Sequence, residues 1–211
     1  MESHVPARIR TETFTGGIFD TNCFFLPEHG ILIDAPQDSA AWLAGRNQKV
    51  QLLLLTHGHI DHVVDAARIR REHHCQVGYH RDTIPPLTDP GFFKRLGFGW
   101  EIEPVAADFL IGETEAVDLQ GVRFRILEVP GHCPGSLCFL ATDASVLFGG
   151  DVLFAGGVGR WDLPGGDRDL LFAGIRDKLL PLGDDVQVMP GHGPATTIGA
   201  ERRTNAFLAE M

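Results

Sequence analysis

The sequence lacks the features that mark membrane-bound, secreted and nucleic-acid-binding proteins. No apolar run approaches the roughly 20 residues that a helix needs to cross a bilayer. The first ten residues, MESHVPARIR, lack the apolar centre of a signal peptide, so we expect a cytoplasmic protein with no membrane segment. The net charge of −10 argues against a nucleic-acid partner, because such proteins depend on basic patches that contact phosphates.

Cysteine and tyrosine are also scarce. The chain has four cysteines and no CxxC spacing, so we expect no disulfide framework. Its only tyrosine is Tyr79. The acidic balance further means that an anionic substrate would need a local basic pocket.

The composition that remains is that of an ordinary globular protein, with 44% hydrophobic and 22% charged residues. A length of 211 residues suits one α/β domain over residues 1–211, and no linker or short repeat divides it. Apolar alternation or continuous apolar runs between turn residues predict strands at 9–14, 22–26, 30–34, 50–55, 75–79, 122–129, 136–140, 145–148 and 186–189.

Helices are predicted at 38–46, with Asp38 as the cap, and at 61–74, 169–179 and 197–210. Residues 81–115 are irregular, and we interpret them as loops and short helices near the mouth of an active site. Each half of the chain brings strands followed by helices. The expected fold class is therefore α/β, with two mixed sheets packed together and helices outside.

The strongest functional signal is the segment THGHIDH at residues 56–62. It follows a predicted buried strand, and α/β proteins place ligands at such strand ends. His57 and His59 are two residues apart, so they project to one side of an extended loop, while Asp61 and His62 open the next helix. Four ligand-type side chains in six positions favour a metal site over a solvated loop.

Three more predicted strands end in glycine with a ligand-type residue beside it: His132 in PGH, Asp151 in GGD and His192 in a second PGH. Glycine at these places lets backbone and side chain approach a small central object. Five histidines and two aspartates exceed the four ligands of one tetrahedral zinc. They fit two divalent metals about 3.5–4 Å apart with a shared carboxylate. Zinc is the expected metal, with iron and manganese as alternatives.

This pattern resembles the metallo-β-lactamase superfamily, whose fold is an αβ/βα sandwich, over residues 8–208. The chain looks most like the short single-domain glyoxalase II-like (hydroxyacylglutathione hydrolase-like) bacterial proteins. That closer resemblance is carried by TNCFFL at 21–26, GRWDLPGGD at 159–167 and PGHGPATTIG at 190–199. The resemblance implies one metal on His57, His59 and His132, a second on Asp61, His62 and His192, and Asp151 as the bridge.

The implied activity is hydrolysis of a thioester such as S-lactoylglutathione, a small-molecule substrate. In this hypothesis a hydroxide bridging the metals attacks the carbonyl, because coordination lowers the pKa of water. The departing thiolate is a good soft ligand. Asp61 would orient the hydroxide, so Asp61 and Asp151 are the candidate catalytic residues. Arg160 is the candidate substrate-binding residue, with an ion pair to Asp162 or Asp167 as the alternative.

The sequence also departs from the longer glyoxalase II enzymes. Their C-terminal helical region supplies basic residues that bind glutathione, and this sequence ends at Met211. Asp162 stands where they have tyrosine, and Cys133 stands where relatives usually have threonine. We therefore expect weak binding of glutathione thioesters.

Three other functions stay open. A persulfide dioxygenase of this fold would use one iron on His57, His132 and Asp151. A lactonase or β-lactamase-like hydrolase would use the same metals on another substrate. A metal-containing scaffold without catalysis is disfavoured because no ligand is missing. The segments LPGGD at 163–167 and HGP at 192–194 favour the thioester hydrolase.

Overall fold

The computed structural model describes residues 9–210, whose strands form two six-stranded sheets and one small hairpin. The first sheet runs in chain order: β1 (Glu12–Gly16), β2 (Thr21–Leu26), β3 (Ile31–Ile33), β4 (Leu52–Leu54), β5 (Gln76–Tyr79) and β6 (Phe109–Leu110). Strands β1 to β3 pair antiparallel, and β3 to β6 pair parallel. The sheet is therefore mixed, as the sequence predicted.

The second sheet is mixed as well. Its strands are β7 (Thr114–Leu119), β8 (Val122–Glu128), β9 (Leu137–Ala141), β10 (Val146–Gly150), β13 (Gln187–Pro190) and β14 (Thr196–Thr197). They lie in the order β14-β13-β10-β9-β8-β7, and only β10 and β13 pair parallel. Strands β11 (Leu153–Phe154) and β12 (Gly157–Val158) form the separate hairpin.

Seven helices complete the described chain: α1 (Ser39–Ala44), α2 (Ile60–Val63), α3 (Ala66–His73), α4 (Ile84–Thr88), α5 (Phe92–Arg95), α6 (Arg168–Gly174) and α7 (Ile198–Thr204). Single turns of 3₁₀ helix lie at Arg81–Thr83, Leu180–Leu182 and Leu208–Glu210, and a π-helical turn at Ile175–Leu179 continues α6. Among residues 9–210, no helix has the length and apolar character to cross a membrane.

Three apolar clusters show how the layers pack. Phe24 faces the second sheet, where its ring centroid lies 5.4 Å from that of Phe148. Its neighbour Phe25 points to the opposite face, into a cluster that includes Leu43 of α1, because successive strand residues alternate between faces. Leu171 of α6 covers the outer face of the second sheet. Two sheets thus pack face to face with helices outside, which confirms the predicted fold class.

The helix predicted at 61–74 is two helices in the structure. The backbone N–H of Asp65 donates to the carbonyl of Ala35 at 3.0 Å, so it does not make the bond to Asp61 that a continuous helix requires. The prediction of one helix was wrong because a neighbouring segment captures this donor.

The predicted cap at Asp38 was also wrong. Asp38 has φ +71° and its side chain caps no helical N–H. Instead the Asp65 carboxylate accepts from the backbone N–H of Ala40, at 2.9 Å. The carboxylate of Asp65, which is distant along the chain, thus caps α1 in place of the adjacent Asp38 carboxylate.

At the C-terminal end, the helix predicted at 197–210 stops after Thr204. Asn205 turns extended, and its buried amide donates to Gly157 and to Glu201. Its side-chain oxygen accepts from the N–H of Phe207. Local side-chain bonds of this kind compete with helix continuation.

Candidate metal centre

The carboxyl ends of four strands meet and carry all seven residues that the sequence predicted as ligands. Direct backbone bonds hold these ends together: Gly191 N–H donates to Gly150 at 2.8 Å, Asn22 N–H to Gly191 at 2.7 Å, and Leu137 N–H to Thr56 at 2.8 Å. The candidate ligands follow β4, β8, β10 and β13: His57, His59, Asp61, His62, His132, Asp151 and His192.

The first group contains His57, His59 and His132, joined by Cys133. Their candidate ligand atoms all lie within 4.8 Å of one another. The ring centroid of His57 lies 4.8 Å from that of His59 and 5.0 Å from that of His132. His132 donates from Nδ1 to the Arg160 carbonyl at 2.7 Å, which leaves the Nε2 lone pair for a metal.

The second group contains Asp61, His62 and His192, again with ligand atoms within 4.8 Å of one another. Nε2 of His192 lies 3.3 Å from Oδ2 of Asp61, and Nε2 of His62 lies 3.6 Å from the same oxygen. His192 donates from Nδ1 to the Phe19 carbonyl at 2.9 Å, and the Thr21 hydroxyl donates to Asp61 Oδ2 at 2.8 Å. These bonds aim the ligand atoms inward.

Asp151 lies between the two groups. Its Oδ1 is 3.2 Å from Nε2 of His62, while its Oδ2 is 3.5 Å from Nε2 of His132 and 3.3 Å from Nε2 of His192. A carboxylate with close neighbours on both sides has the position that a shared ligand needs.

Three buried polar atoms in the cluster have no hydrogen-bond partner among residues 9–210: His57 Nε2, His62 Nε2 and Asp151 Oδ1. The last two face each other without the angles of a hydrogen bond. An unpaired buried polar group costs about 1–3 kcal/mol. Imidazole nitrogen and carboxylate oxygen are ligand types that suit zinc, iron and manganese. The residues present therefore fit a pair of divalent cations.

The electrostatics of the cluster favour ligand-competent forms in the first group. Burial lowers the pKa of His57 well below its ordinary value and lowers the pKa of His59 to about 4. Burial alone would raise the pKa of Asp151, but His62 and His192 outweigh it and hold that pKa far below the usual range. Neutral imidazoles and an ionised carboxylate are the forms that bind metals.

The second group is more basic. Burial alone would lower the pKa of His192, but the hydrogen bonds that its imidazole donates to Asp151 and Asp61 raise that pKa to about 10. The pKa of His62 is likewise raised, against its burial, by Asp151, Asp34 and Asp61. Asp151 and Asp61 thus favour the protonated forms of both imidazoles. A bound metal would displace those protons.

Asp34, at the end of β3, supports the candidate site and was not predicted from the sequence. Its carboxylate is 1% exposed and accepts from His62 Nδ1, Thr56 N–H and the Thr56 hydroxyl, each at 2.8 Å. It therefore fixes both the His62 ring and the loop that carries His57. A signal was available, since Asp34 also ends a buried strand, but it was interpreted only as the end of that strand.

Glycine is required where strand ends approach the cluster. A Cβ on Gly191 would overlap Oδ1 of Asp151 and the His62 ring. Gly131, just before His132, has φ +126° and would collide with the backbone of Leu171. Both positions agree with the close approach expected from the sequence.

A cavity of about 640 Å³ opens beside the cluster. Asp61, Asp151 and His192 line its floor, and Arg160 lies in its wall. The Arg160 guanidinium makes two bonds to the Asp162 carboxylate, at 2.8 and 2.9 Å. The ion pair considered from the sequence is thus present, and contact between Arg160 and a substrate stays a prediction.

Comparisons with known proteins agree with this geometry. The family model described as the metallo-beta-lactamase superfamily matches residues 16–192. Hydroxyacylglutathione hydrolase GloC of Haemophilus influenzae is 39% identical over 199 residues, which cover 90% of this chain and 93% of that protein. The crystal structure of BLEG-1 B3 metallo-beta-lactamase matches with a TM-score of 0.88 at 34% identity, over 94% of this chain and 99% of that one. A di-iron-bound form of TTHA1623 matches with a TM-score of 0.80 at 33% identity, over 93% and 100% of the two chains.

Proposed function

Because this chain belongs to the metallo-β-lactamase superfamily, we propose that it is a binuclear hydrolase that cleaves thioesters. Members of this superfamily bind divalent metals, typically two. The observation that carries the proposal is the position of Asp151, whose carboxylate lies within 3.5 Å of imidazole nitrogens from both groups. Zinc is the metal we propose, and the di-iron form of TTHA1623 keeps iron as an alternative.

Two cations at this place would supply a water of lowered pKa and a polarised substrate carbonyl. The protein's own residues supply orientation. Asp61 lines the cavity and is steadied by Thr21, so we propose that it accepts a hydrogen bond from the attacking water. His132 and His192 are each fixed by a backbone carbonyl that accepts from Nδ1, which keeps their Nε2 atoms directed at the centre.

A thioester is the substrate class that the relatives support best. The Haemophilus protein is named a hydroxyacylglutathione hydrolase, and a thiolate leaving group suits thiophilic metals such as zinc. S-lactoylglutathione is therefore the first substrate to test. We expect turnover with a weak KM. Among the described residues that line the site, Arg160 is the only arginine or lysine that a glutathione carrier could contact, and Asp162 already pairs with it.

The test is hydrolysis of S-lactoylglutathione by protein that has been stripped with a chelator and reloaded with zinc. We expect activity only after reloading. We also expect Asp61→Asn to lower kcat at least tenfold even when enough zinc is supplied to fill both groups, because Asp61 is also a candidate ligand of the second metal. Full activity in stripped protein, or in Asp61→Asn, would contradict the proposal.

A β-lactamase activity is a second candidate, supported by the similarity to the BLEG-1 enzyme. Hydrolysis of a chromogenic cephalosporin by the same zinc-loaded sample separates the two. Faster turnover of the cephalosporin than of any thioester would favour the second candidate.

A further inference from the structure

The wall of the active-site cavity is apolar over most of its extent. Three chain segments build it: the loop before β2, the helical region from Asp82 to Phe98, and the stretch from Phe154 to Pro164. The apolar side chains that they contribute are Phe19, Pro85, Pro86, Phe92, Phe93, Leu96, Phe98, Phe154, Val158, Leu163 and Pro164, and Ile60 of α2 adds one more. Ligand sites typically combine such a wall with a few polar groups, which here lie at the metal cluster.

Large apolar side chains are left exposed mainly around this mouth. Nine are exposed among residues 9–210, and five of them line this cavity or the smaller one of about 300 Å³ that shares Phe19 and Asp61 with it. The five are Ile18, Phe19, Leu96, Phe98 and Trp100. Phe19 and Trp100 contact each other from opposite segments, with ring centroids 5.9 Å apart. Such clustering, unlike scattered exposure, indicates a binding surface.

Cations are almost absent from the same wall. Of the described residues that line it, Arg160 is the only arginine or lysine, and its charge is neutralised by the bidentate bond to Asp162. The basic residues of α5 are outside the lining of this cavity and are paired, Lys94 with Glu101 at 3.1 Å and Arg95 with Asp89. Away from the metal centre, a carboxylate on a bound substrate would meet, among the described lining residues, no arginine or lysine that is not already paired with a carboxylate.

From these observations we infer that the part of the substrate remote from the scissile bond is uncharged and apolar, with an aromatic or branched alkyl group packed against Phe98 and its neighbours. The inference rests on the proposed function only for the nature of the scissile bond, which is taken to be a thioester. The recognition itself is independent of the reaction, because the apolar wall lies beyond the cluster.

Two ligands that differ only by one carboxylate group test this inference. They are ketone analogues of S-lactoyl benzyl thioester and of its 4-carboxybenzyl counterpart, with CH₂ in place of sulfur so that neither is hydrolysed. Titration calorimetry on zinc-loaded protein measures both. We expect the benzyl analogue to bind at least about tenfold more tightly, because an unpaired carboxylate is costly to desolvate.

Phe98→Ser should weaken binding of the benzyl analogue several-fold, because an aromatic contact is lost. Leu110→Ser is the matched control, since Leu110 is equally apolar and 53% exposed but lies on β6 outside the cavity lining. It should change nothing. Equal binding of the two analogues, or preference for the carboxylate, overturns the inference.

The corresponding thioesters separate this inference from the proposed function. Preferential binding of the benzyl ketone without hydrolysis of either thioester would refute the hydrolase proposal and leave the apolar site standing. A second copy of the chain is the other possible occupant of this surface. Sedimentation of the wild type and of Phe98→Ser measures whether each forms a dimer. If the wild type is a dimer and Phe98→Ser is a monomer with unchanged ligand binding, the surface binds a second copy of the chain. That result would overturn the inference.

Discussion

Replacing Asp34 should weaken metal binding although Asp34 is not itself a candidate metal ligand. The carboxylate accepts three hydrogen bonds, from His62 and twice from Thr56, at a site that is 1% exposed. In Asp34→Asn one of the two accepting oxygens is replaced by an NH₂ group. At least one of the three donors then faces another donor and loses its hydrogen bond. One unsatisfied buried donor costs about 1–3 kcal/mol, and Asp34→Ala would leave all three unpaired.

The consequence for metal binding follows from His62. Its Nδ1 loses the anionic acceptor that fixes the ring, and loss of such a supporting partner typically lowers metal affinity 10–100-fold. We expect Asp34→Asn to bind one zinc near normally and the second 10–100-fold more weakly. Competition with a chromophoric chelator measures both affinities, and urea unfolding of the metal-free protein measures the stability loss.

Glu201→Gln is the matched control. Glu201 is 2% exposed and also accepts three hydrogen bonds, from Gly156, Thr196 and Asn205, none of which is a predicted ligand. It should lose a similar amount of stability and keep both zinc affinities. Wild-type affinity for two zinc ions in Asp34→Asn would refute the reasoning.

Three further substitutions probe the centre. Asp151→Ala should lower zinc content, measured by elemental analysis, more than any single histidine-to-alanine change among the ligands, because only this carboxylate reaches both groups; near-normal zinc would count against a bridge. Gly191→Ala should lose zinc while its circular dichroism stays native, since the added Cβ overlaps Asp151 and His62; retained zinc would mean that the strand end can shift. Arg160→Ala should raise KM for S-lactoylglutathione with little change in kcat, because Asp162 is left uncompensated. Adding Asp162→Ala should restore KM if the pair only neutralises charge, and should not if Arg160 binds the substrate.

The metal cluster could be predicted from sequence because each ligand lies beside a strong local signal. His57 follows a continuous apolar strand, and His132, Asp151 and His192 each follow a glycine at a strand end. Parallel strand ends meet at one edge, so local signals of this kind converge in space.

Long-range contacts explain what the sequence did not reveal. Asp65 breaks the predicted helix at 61–74 and caps α1 only because Ala35 and Ala40 lie beside it in the fold. The two-residue strand β6 exists only through its pairing with β5, since Phe109–Leu110 is too short to show a period. Asp34 acts through His62, which is 28 positions away along the chain.

Zinc titration of the stripped protein, with hydrolysis of a neutral thioester followed at each step, tests the central claim most directly. The account predicts two bound zinc ions per chain and activity that needs the second equivalent, because seven ligands in two groups exceed one coordination sphere. One tightly held iron with the second group empty, no thioester hydrolysis, and oxygen uptake on a persulfide would contradict it and favour the dioxygenase alternative.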